Sequence, residues 1–293
     1  MDAGLLAAVA AAVVWGAYLF VLKRAFAGYP PAALTVAINV AAVSWFLAGT
    51  GLTVGFGDAA AGVSGLVAPR RAAVVAVTTL GTAAAFVLFL RAIDQGAVSY
   101  VAPINKIVPM FVLPLEVGLL GQVLAPVQVA GVVVTTLAVY VANYEPGGFF
   151  APFARAARSR PAQLALASAA CYAVADVGKR VALQEFSIPG TLWVPLLLAG
   201  VAVVLFPAAL RSPFAVTRQD LPKFLAAGGL VALGEHLTTV AFAALPASVA
   251  SPVINTQAIV AVVLGGVLLG ERHFRLRLAA AVLAVAGVAM IAG

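Results

Sequence analysis

The 293-residue chain is 64% hydrophobic and only 9% charged, with a formal net charge of +7. Soluble globular proteins carry about 25% charged residues, so this composition excludes a soluble class, and most of the surface must face lipid. In hydrocarbon only helices and closed barrels satisfy every backbone N–H and C=O group. Barrel strands alternate apolar and polar residues, whereas the apolar runs here are long and continuous. The composition therefore predicts an all-α, multi-pass protein of a cell membrane.

Ten apolar runs are long enough to cross a bilayer, which takes about 20 residues. In chain order they cover residues 3–22, 31–54, 70–92, 97–119, 125–143, 162–182, 189–210, 222–244, 247–269 and 274–292. Helix-breaking Gly and Pro residues separate them, as at Pro30-Pro31 and Ser212-Pro213. The N-terminus has no basic region, so the first run is interpreted as a retained helix and not as a signal peptide. The longest polar connection falls near the middle of the chain.

The two halves on either side of that connection resemble each other. The matched pairs, in the same order in both halves, are Trp15-Gly16 with Cys171-Tyr172, Leu80-Gly81 with Leu233-Gly234, Ala102-Pro103 with Ser251-Pro252, and Leu119–Gln122 with Leu268–Glu271. Residues 1–144 and 162–293 are therefore predicted to be two five-helix repeats joined by the linker 145–161. Because five is odd, the second repeat must cross the membrane in the opposite sense. Inverted repeats are typical of secondary transporters, whose substrate site lies near the midplane between the halves.

Three motifs make the chain resemble the EamA-type family of the drug/metabolite transporter superfamily. They are Trp15-Gly16 with Lys23, the run Gly96–Lys106 with its Ala-Pro-Ile sequence, and Gly270-Glu271-Arg272. The resemblance implies a ten-helix, basket-like fold whose cavity is lined by helices one, three, four, six, eight and nine. Three positions depart from the family pattern: Gln122 replaces a Glu, and Cys171-Tyr172 replace Trp-Gly. Members export amino acids and many other metabolites, so the substrate stays open.

Charged residues inside the predicted spans mark the candidate site, because such charges usually face a water-filled cavity or a partner. Lys106 lies about 13 Å into its span at a rise of 1.5 Å per residue. It either binds the carboxylate or phosphate of a substrate, or pairs with Glu235 or Asp176. Glu235 is the first candidate for proton coupling, with Asp176 as the second, because a desolvated carboxylate holds its proton more tightly. A fixed ion pair is the alternative for both acids.

Polar and aromatic residues at the same depth complete the predicted substrate site. Asn105 and Asn255 follow prolines whose kinks can expose polar backbone at a midplane site, with interhelical hydrogen bonding as the alternative. Trp15 and Tyr172 fall deep enough in their runs to line a cavity.

The distribution of Lys and Arg and the family resemblance disagree about orientation. Twelve of the 17 Lys and Arg residues lie in connections after odd-numbered runs and four in those after even-numbered runs. The positive-inside rule then places both termini outside, whereas the resemblance implies that both are inside. The cations that end the first and sixth runs are expected to extend to the lipid headgroups: Lys23, Arg24, Lys179 and Arg180.

The motifs of common enzyme classes are missing from the sequence. It contains no His-Glu-x-x-His, no Gly-x-Ser-x-Gly and no P-loop, and its single cysteine, Cys171, excludes a disulfide framework. We expect no enzymatic activity, no cofactor or metal, and no nucleic-acid partner. The leading hypothesis is a secondary transporter that exports a small polar metabolite such as an amino acid, driven by protons or by exchange for a counter-substrate. The alternatives are a multidrug or cationic-compound exporter, a channel and a lipid-modifying enzyme; either a monomer or a homodimer fits.

Overall fold

The computed structural model describes residues 3–105, 107–121, 125–142, 158–212, 214, 217–269 and 274–292. These residues form helices and connections without a strand, which confirms the all-α prediction. The α-helices are α1 (Ala3–Ala25), α2 (Pro31–Thr53), α3 (Gly57–Val63), α4 (Pro69–Gln95), α5 (Val98–Asn105), α6 (Val108–Leu120), α7 (Pro126–Ala142), α8 (Arg160–Arg180), α9 (Gly190–Arg211), α10 (Leu221–Ala244), α11 (Ala247–Asn255), α12 (Gln257–Leu269) and α13 (Phe274–Ala292). A π-helical turn, Val181–Glu185, continues α8.

Five helices are long and apolar enough to cross a membrane, namely α1, α2, α4, α9 and α10. Shorter apolar segments lie at Val108–Leu119 in α6 and at Leu278–Gly287 in α13. Helical residues occupy each of the ten predicted ranges, while the count of ten membrane spans stays a prediction. The short helix α3 lies in a connection where no helix was predicted, and its Asp58 and three alanines favour a helical first turn.

The fourth and ninth predicted ranges each hold two helices separated by a break. At both breaks the backbone forms hydrogen bonds to the third residue back: Ile107 N to Ile104 O (3.4 Å) and Met110 N to Ile107 O (2.9 Å), Thr256 N to Val253 O (3.1 Å) and Ile259 N to Thr256 O (2.9 Å). The residues that form these bonds at the first break, Ile104, Ile107 and Met110, are the repeat equivalents of Val253, Thr256 and Ile259 at the second. Proline contributes to the first break, because Pro109 lacks the N–H that would bond to the carbonyl of Asn105.

Helix contacts between the two halves follow the repeat, because each contact is matched by one between the equivalent helices. Helix α1 packs on α10, and the equivalent pair α4 and α8 also pack together. Helices α2 and α7 pack on their own equivalents, α9 and α13. The broken helices interdigitate, with α5 on α12 and α6 on α11. A pseudo-two-fold axis between the halves produces these matched contacts.

Glycines allow the close approach of helices at two equivalent contacts. A Cβ atom added to Gly81 of α4 would lie 3.2 Å from the carbonyl oxygen of Cys171 on α8. A Cβ atom added to its equivalent, Gly234 of α10, would lie 2.9 Å from the indole ring of Trp15 on α1. In each contact a glycine of one half therefore lies against the other half, Gly81 at Cys171 and Gly234 at Trp15.

Helix α10 packs most closely on α2 at Gly228, where an added Cβ atom would lie 2.6 Å from Ala41 Cβ and 2.9 Å from the backbone N of Ala42. Because backbone atoms cannot move aside cheaply, we expect Gly228→Ala to cost about 1–3 kcal/mol. A lower unfolding temperature of the detergent-solubilised protein would be the measured effect.

The matched control is Gly229→Ala, whose Cβ atom would lie 3.7 Å from the indole of Trp45, an ordinary contact. This variant gains up to about 1 kcal/mol of helix propensity and should melt no lower than the wild type. Equal losses in both variants would contradict the close contact between α2 and α10.

Candidate functional site

A cavity of about 950 Å³, counting the space that opens outward, lies between the two halves. Helices α1, α2, α4 and α6 of the first half and α8 to α12 of the second half line it. The second and seventh predicted helices, α2 and α9, thus join the lining that the family resemblance implied. The wall is mostly apolar, and its charged groups come from α8 and α10.

An ion pair between Lys179 of α8 and Glu235 of α10 lies in the cavity wall. The distance from Lys179 Nζ to Glu235 Oε1 is 2.8 Å, and the two side chains are 8% and 5% exposed. The expectation that Lys179 extends to the headgroups is therefore wrong. A carboxylate on the neighbouring helix compensates the buried ammonium, and removing either charge would leave the other unpaired.

A hydrogen-bonded chain runs beside this ion pair from α11 to α8. Ser251 Oγ donates to Asp176 Oδ2 at 2.7 Å, and Asn255 Nδ2 donates to Ser251 O at 2.8 Å. Asn255 is the last residue of α11, directly before the break. Asp176 and Lys179 are three residues apart on α8 and so share one face of that helix. A carboxylate and an ammonium therefore stand next to each other in the cavity wall.

Aromatic side chains form a further part of the cavity wall, close to the charged groups. Trp15 Nε1 donates to Thr238 Oγ1 at 2.9 Å, which ties α1 to α10. The ring of Tyr18 meets that of Trp15 edge-on at 5.7 Å and stacks on Phe86 at 6.1 Å. Tyr172 also lines the cavity, from α8. Flat apolar surfaces thus line the same cavity as the charged groups.

Five predicted site residues line the cavity: Trp15, Tyr172, Asp176, Glu235 and Asn255. Asn105 instead lies buried between α5 and α8, where its Nδ2 donates to Ser168 Oγ at 2.8 Å and to Ala165 O at 3.3 Å. These contacts are the interhelical bonds that were the alternative for Asn105. Lys106, together with the family-motif positions Gln122 and Glu271, lies outside the described residues.

Lys179, which sequence reasoning missed, differs in role from its repeat equivalent, Lys23. Lys23 Nζ donates to the carbonyls of Ile93 (2.9 Å) and Gly96 (3.4 Å) at the end of α4. In the second half Gln184 performs the same task, donating to the carbonyls of Phe242 (2.8 Å) and Leu245 (2.7 Å) at the end of α10. This leaves Lys179 available to turn into the cavity. Gln184, one turn beyond Lys179, is the signal in the sequence that could have revealed it.

Arg180 also turns inward, against expectation. Its Nη1 lies 3.7 Å from Glu116 Oε1, and the Glu116 side chain is completely buried. Arg180 and Lys179 therefore bind acids on two different helices, α6 and α10. The end of α8 is fixed in position by charge on two sides.

Comparison with known proteins gives one family and one fold. The sequence model of the EamA-like transporter family matches residues 2–144 and 160–293. No curated protein sequence matches this chain. A solved crystal structure of a protein with 18% sequence identity superposes with a TM-score of 0.70, covering 99% of this chain and 97% of that chain. At this identity the likeness shows a shared fold alone.

The ion pair predicts a strongly non-additive double-mutant cycle. Lys179→Met and Glu235→Met each leave one buried charge unpaired, which costs about 3–5 kcal/mol. In the double variant no unpaired charge remains, so we expect it to recover most of the lost unfolding temperature in detergent. Arg218→Met, which removes an exposed charge, serves as the control and should melt like the wild type. Additive losses would show that the two side chains do not depend on each other.

Proposed function

The chain belongs to the EamA-like transporter family, and from that membership we propose that it is a secondary transporter that exports a small polar metabolite, such as an amino acid, by alternating access. The observation that carries the proposal is the cavity between the halves, in whose wall a buried ion pair lies beside a hydrogen-bonded carboxylate. Charges inside a membrane protein commonly mark the path of a substrate or an ion. The sequence contains no nucleotide-binding motif, so the energy comes from a proton gradient or from exchange for a counter-substrate.

Alternating access needs a closure at each end of the cavity, and one end carries a cluster around Lys223. Lys223 Nζ pairs with Asp220 Oδ1 at 2.7 Å and donates to the hydroxyl of Tyr29 at 2.7 Å. The ammonium also lies 4.7 Å from the ring centroid of Tyr29 and 5.5 Å from that of Phe26. The cluster joins the connection between α1 and α2 to the start of α10. It therefore links the two halves.

An equivalent contact lies at the opposite end of the molecule. The guanidinium of Arg71, at the start of α4, lies 5.7 Å above the ring of Phe186 in the connection after α8. Helices α4 and α10 are repeat equivalents, as are the connections after α1 and α8. Helix α2, at 1.5 Å per residue over its 23 residues, separates the two ends by about 35 Å. We assign both contacts as gates that close in alternation, the Lys223 cluster being the more extensive.

The two gates predict opposite changes in cavity access. In a Cys171→Ser background, Thr82→Cys places a thiol on the cavity wall, where a membrane-impermeant maleimide can report access from either side. Lys223→Ala should increase labelling from the side of the α1–α2 connection, because the cation–π and hydrogen-bond contacts there are lost. Arg71→Ala should increase labelling from the other side.

The control is Arg218→Ala, an exposed cation in the connection that also contains Asp220. It should leave labelling from both sides unchanged. Increased labelling from the same side in both gate variants would contradict alternating closure.

The transport activity itself is tested in proteoliposomes with a uniformly ¹³C-labelled mixture of the twenty amino acids. We expect saturable movement that accelerates in exchange for internal amino acids or under an imposed pH gradient. Glu235→Gln should abolish the response to the pH gradient, because the amide cannot take up a proton. Electrical conductance without saturation would indicate a channel, and no movement of any amino acid would contradict the proposed substrate.

An exporter of organic cations is the second candidate. Among the described residues that line the cavity, the carboxylates of Asp176 and Glu235 outnumber the single ammonium of Lys179. This excess of negative charge, together with the aromatic wall, suits a flat cation. Ethidium efflux from the same vesicles distinguishes the two candidates.

A further inference from the structure

The polar side chains of the cavity wall are mostly bonded to one another or to backbone carbonyls. Tyr18 is an exception, because it is completely buried and its hydroxyl has no hydrogen-bond partner among the described residues. Other buried neutral side chains that lack such a partner, Thr191, Trp193 and Thr239, do not line the cavity. An unpaired buried hydroxyl costs free energy, so its place in the cavity wall needs an explanation.

Packing holds the ring of Tyr18 in a position from which its hydroxyl approaches the other half. The ring stacks on Phe86 of α4 and meets Trp15 edge-on. The hydroxyl lies close enough to Tyr172 on α8 for the two side chains to interact electrostatically. Helix α1 has its main contacts with α10, α11 and α12, so Tyr18 approaches α8 across the cavity that both tyrosines line. The aromatic contacts therefore fix the hydroxyl at the cavity, where a ligand can reach it.

A second neutral polar residue, Gln257, lines the same cavity. It is the first residue of α12, directly after the break, and its repeat equivalent Val108 is the first residue of α6 and also lines the cavity. The side-chain amide of Gln257 makes no hydrogen bond with another described residue. Tyr18 likewise has an apolar repeat equivalent, Val174. Because the other repeat has valine at both places, neither position requires a polar side chain for the fold.

We propose that Tyr18 and Gln257 determine substrate specificity by forming hydrogen bonds with an uncharged polar group of the substrate. The inference rests on the proposed transport of amino acids, and it narrows them to those with a hydroxyl or a carboxamide in the side chain. A phenol and an amide each donate and accept hydrogen bonds, which suits both of these groups. Neither residue is charged, so this recognition leaves the Lys179–Glu235 ion pair intact.

The preference follows from the state in which each substrate leaves the hydroxyl of Tyr18. A substrate hydroxyl or carboxamide gives it the hydrogen-bond partner that the protein does not supply. An apolar side chain of similar size excludes water from the same place and leaves the hydroxyl buried without a bond. A site that forms a hydrogen bond with a substrate group therefore rejects the analogue that lacks this group. We expect a preference of about tenfold for the polar substrate.

Transport by the full-length protein in proteoliposomes tests the inference with pairs of amino acids of similar size. The pairs are threonine with valine, serine with alanine, and glutamine with methionine, each supplied as an equimolar mixture. The wild type should move the polar member of each pair about tenfold faster. Tyr18→Phe keeps the ring and its packing, so it should slow the polar members and leave the apolar members unchanged. Gln257→Val, which introduces the side chain of the repeat equivalent, should have the same effect.

Two further measurements distinguish this role from a structural one. Tyr18→Phe removes no hydrogen bond between described groups of the protein, so it should melt no lower than the wild type in detergent. Tyr100→Phe is the matched control, because its hydroxyl lies outside the cavity lining, 3.4 Å from Ser159 Oγ. It should leave the ratio of polar to apolar transport unchanged.

Three results would overturn the inference: a wild type that does not prefer the polar members, a preference that persists in both cavity variants, or a lower unfolding temperature of Tyr18→Phe. In each of these cases, movement of amino acids by the wild type would leave the proposed function intact. If the wild type moves none of the six amino acids, the proposed substrate class fails and the inference fails with it. Ethidium efflux from the same vesicles would then still identify a transporter.

Discussion

The need to pair every buried charge is the constraint on which the site depends. Lipid offers no counter-charge to Lys179 and Arg180, and both bind acids on neighbouring helices, Glu235 at 2.8 Å and Glu116 at 3.7 Å. These contacts fix the last turn of α8 against α10 and α6. They also fix where the cavity is charged, because Lys179 and Glu235 lie in its wall while Glu116 is completely buried. The same constraint thus accounts for one ion pair in the cavity wall and for another at a completely buried carboxylate.

Close helix packing supplies the frame in which those charges meet. Without a hydrophobic driving force between helices in lipid, association depends on close packing and hydrogen bonds, and small residues allow both. Gly81 brings α4 close to α8, and Gly234 brings α10 close to α1, so Trp15 and Cys171 occupy corresponding places in two equivalent helix pairs. Trp15 then reaches Thr238 at 2.9 Å, one turn beyond Glu235 and three residues from it on α10. The packing of the repeat therefore positions the aromatic and the charged parts of the wall together.

The sequence predicted the helices well because length and apolarity are local properties. Five residues that the sequence singled out by their depth lie in the cavity wall, since depth along a helix follows from counting residues: Trp15, Tyr172, Asp176, Glu235 and Asn255. The direction in which a side chain points from the helix axis, relative to the other helices, does not follow from counting residues. Asn105 and Asn255 occupy equivalent depths, yet Asn105 faces Ser168 on α8 whereas Asn255 faces the cavity. Lys179 was assigned to the headgroups because its partner lies 56 positions away in the chain, on a helix whose rotation the sequence does not reveal.

The differences between the repeats carry more functional information than their likeness. If the second repeat matched the first, Lys179 would bind the carbonyls at the end of α10 as Lys23 binds those at the end of α4. Neither ammonium would then lie in the cavity. Gln184 removes that requirement in the second half by bonding to the carbonyls of Phe242 and Leu245. The replacement of Thr82 by Glu235 then gives the freed Lys179 a partner in the cavity. Two differences between the repeats thus place the ammonium of Lys179 in the cavity wall, whereas that of its equivalent Lys23 binds the carbonyls at the end of α4.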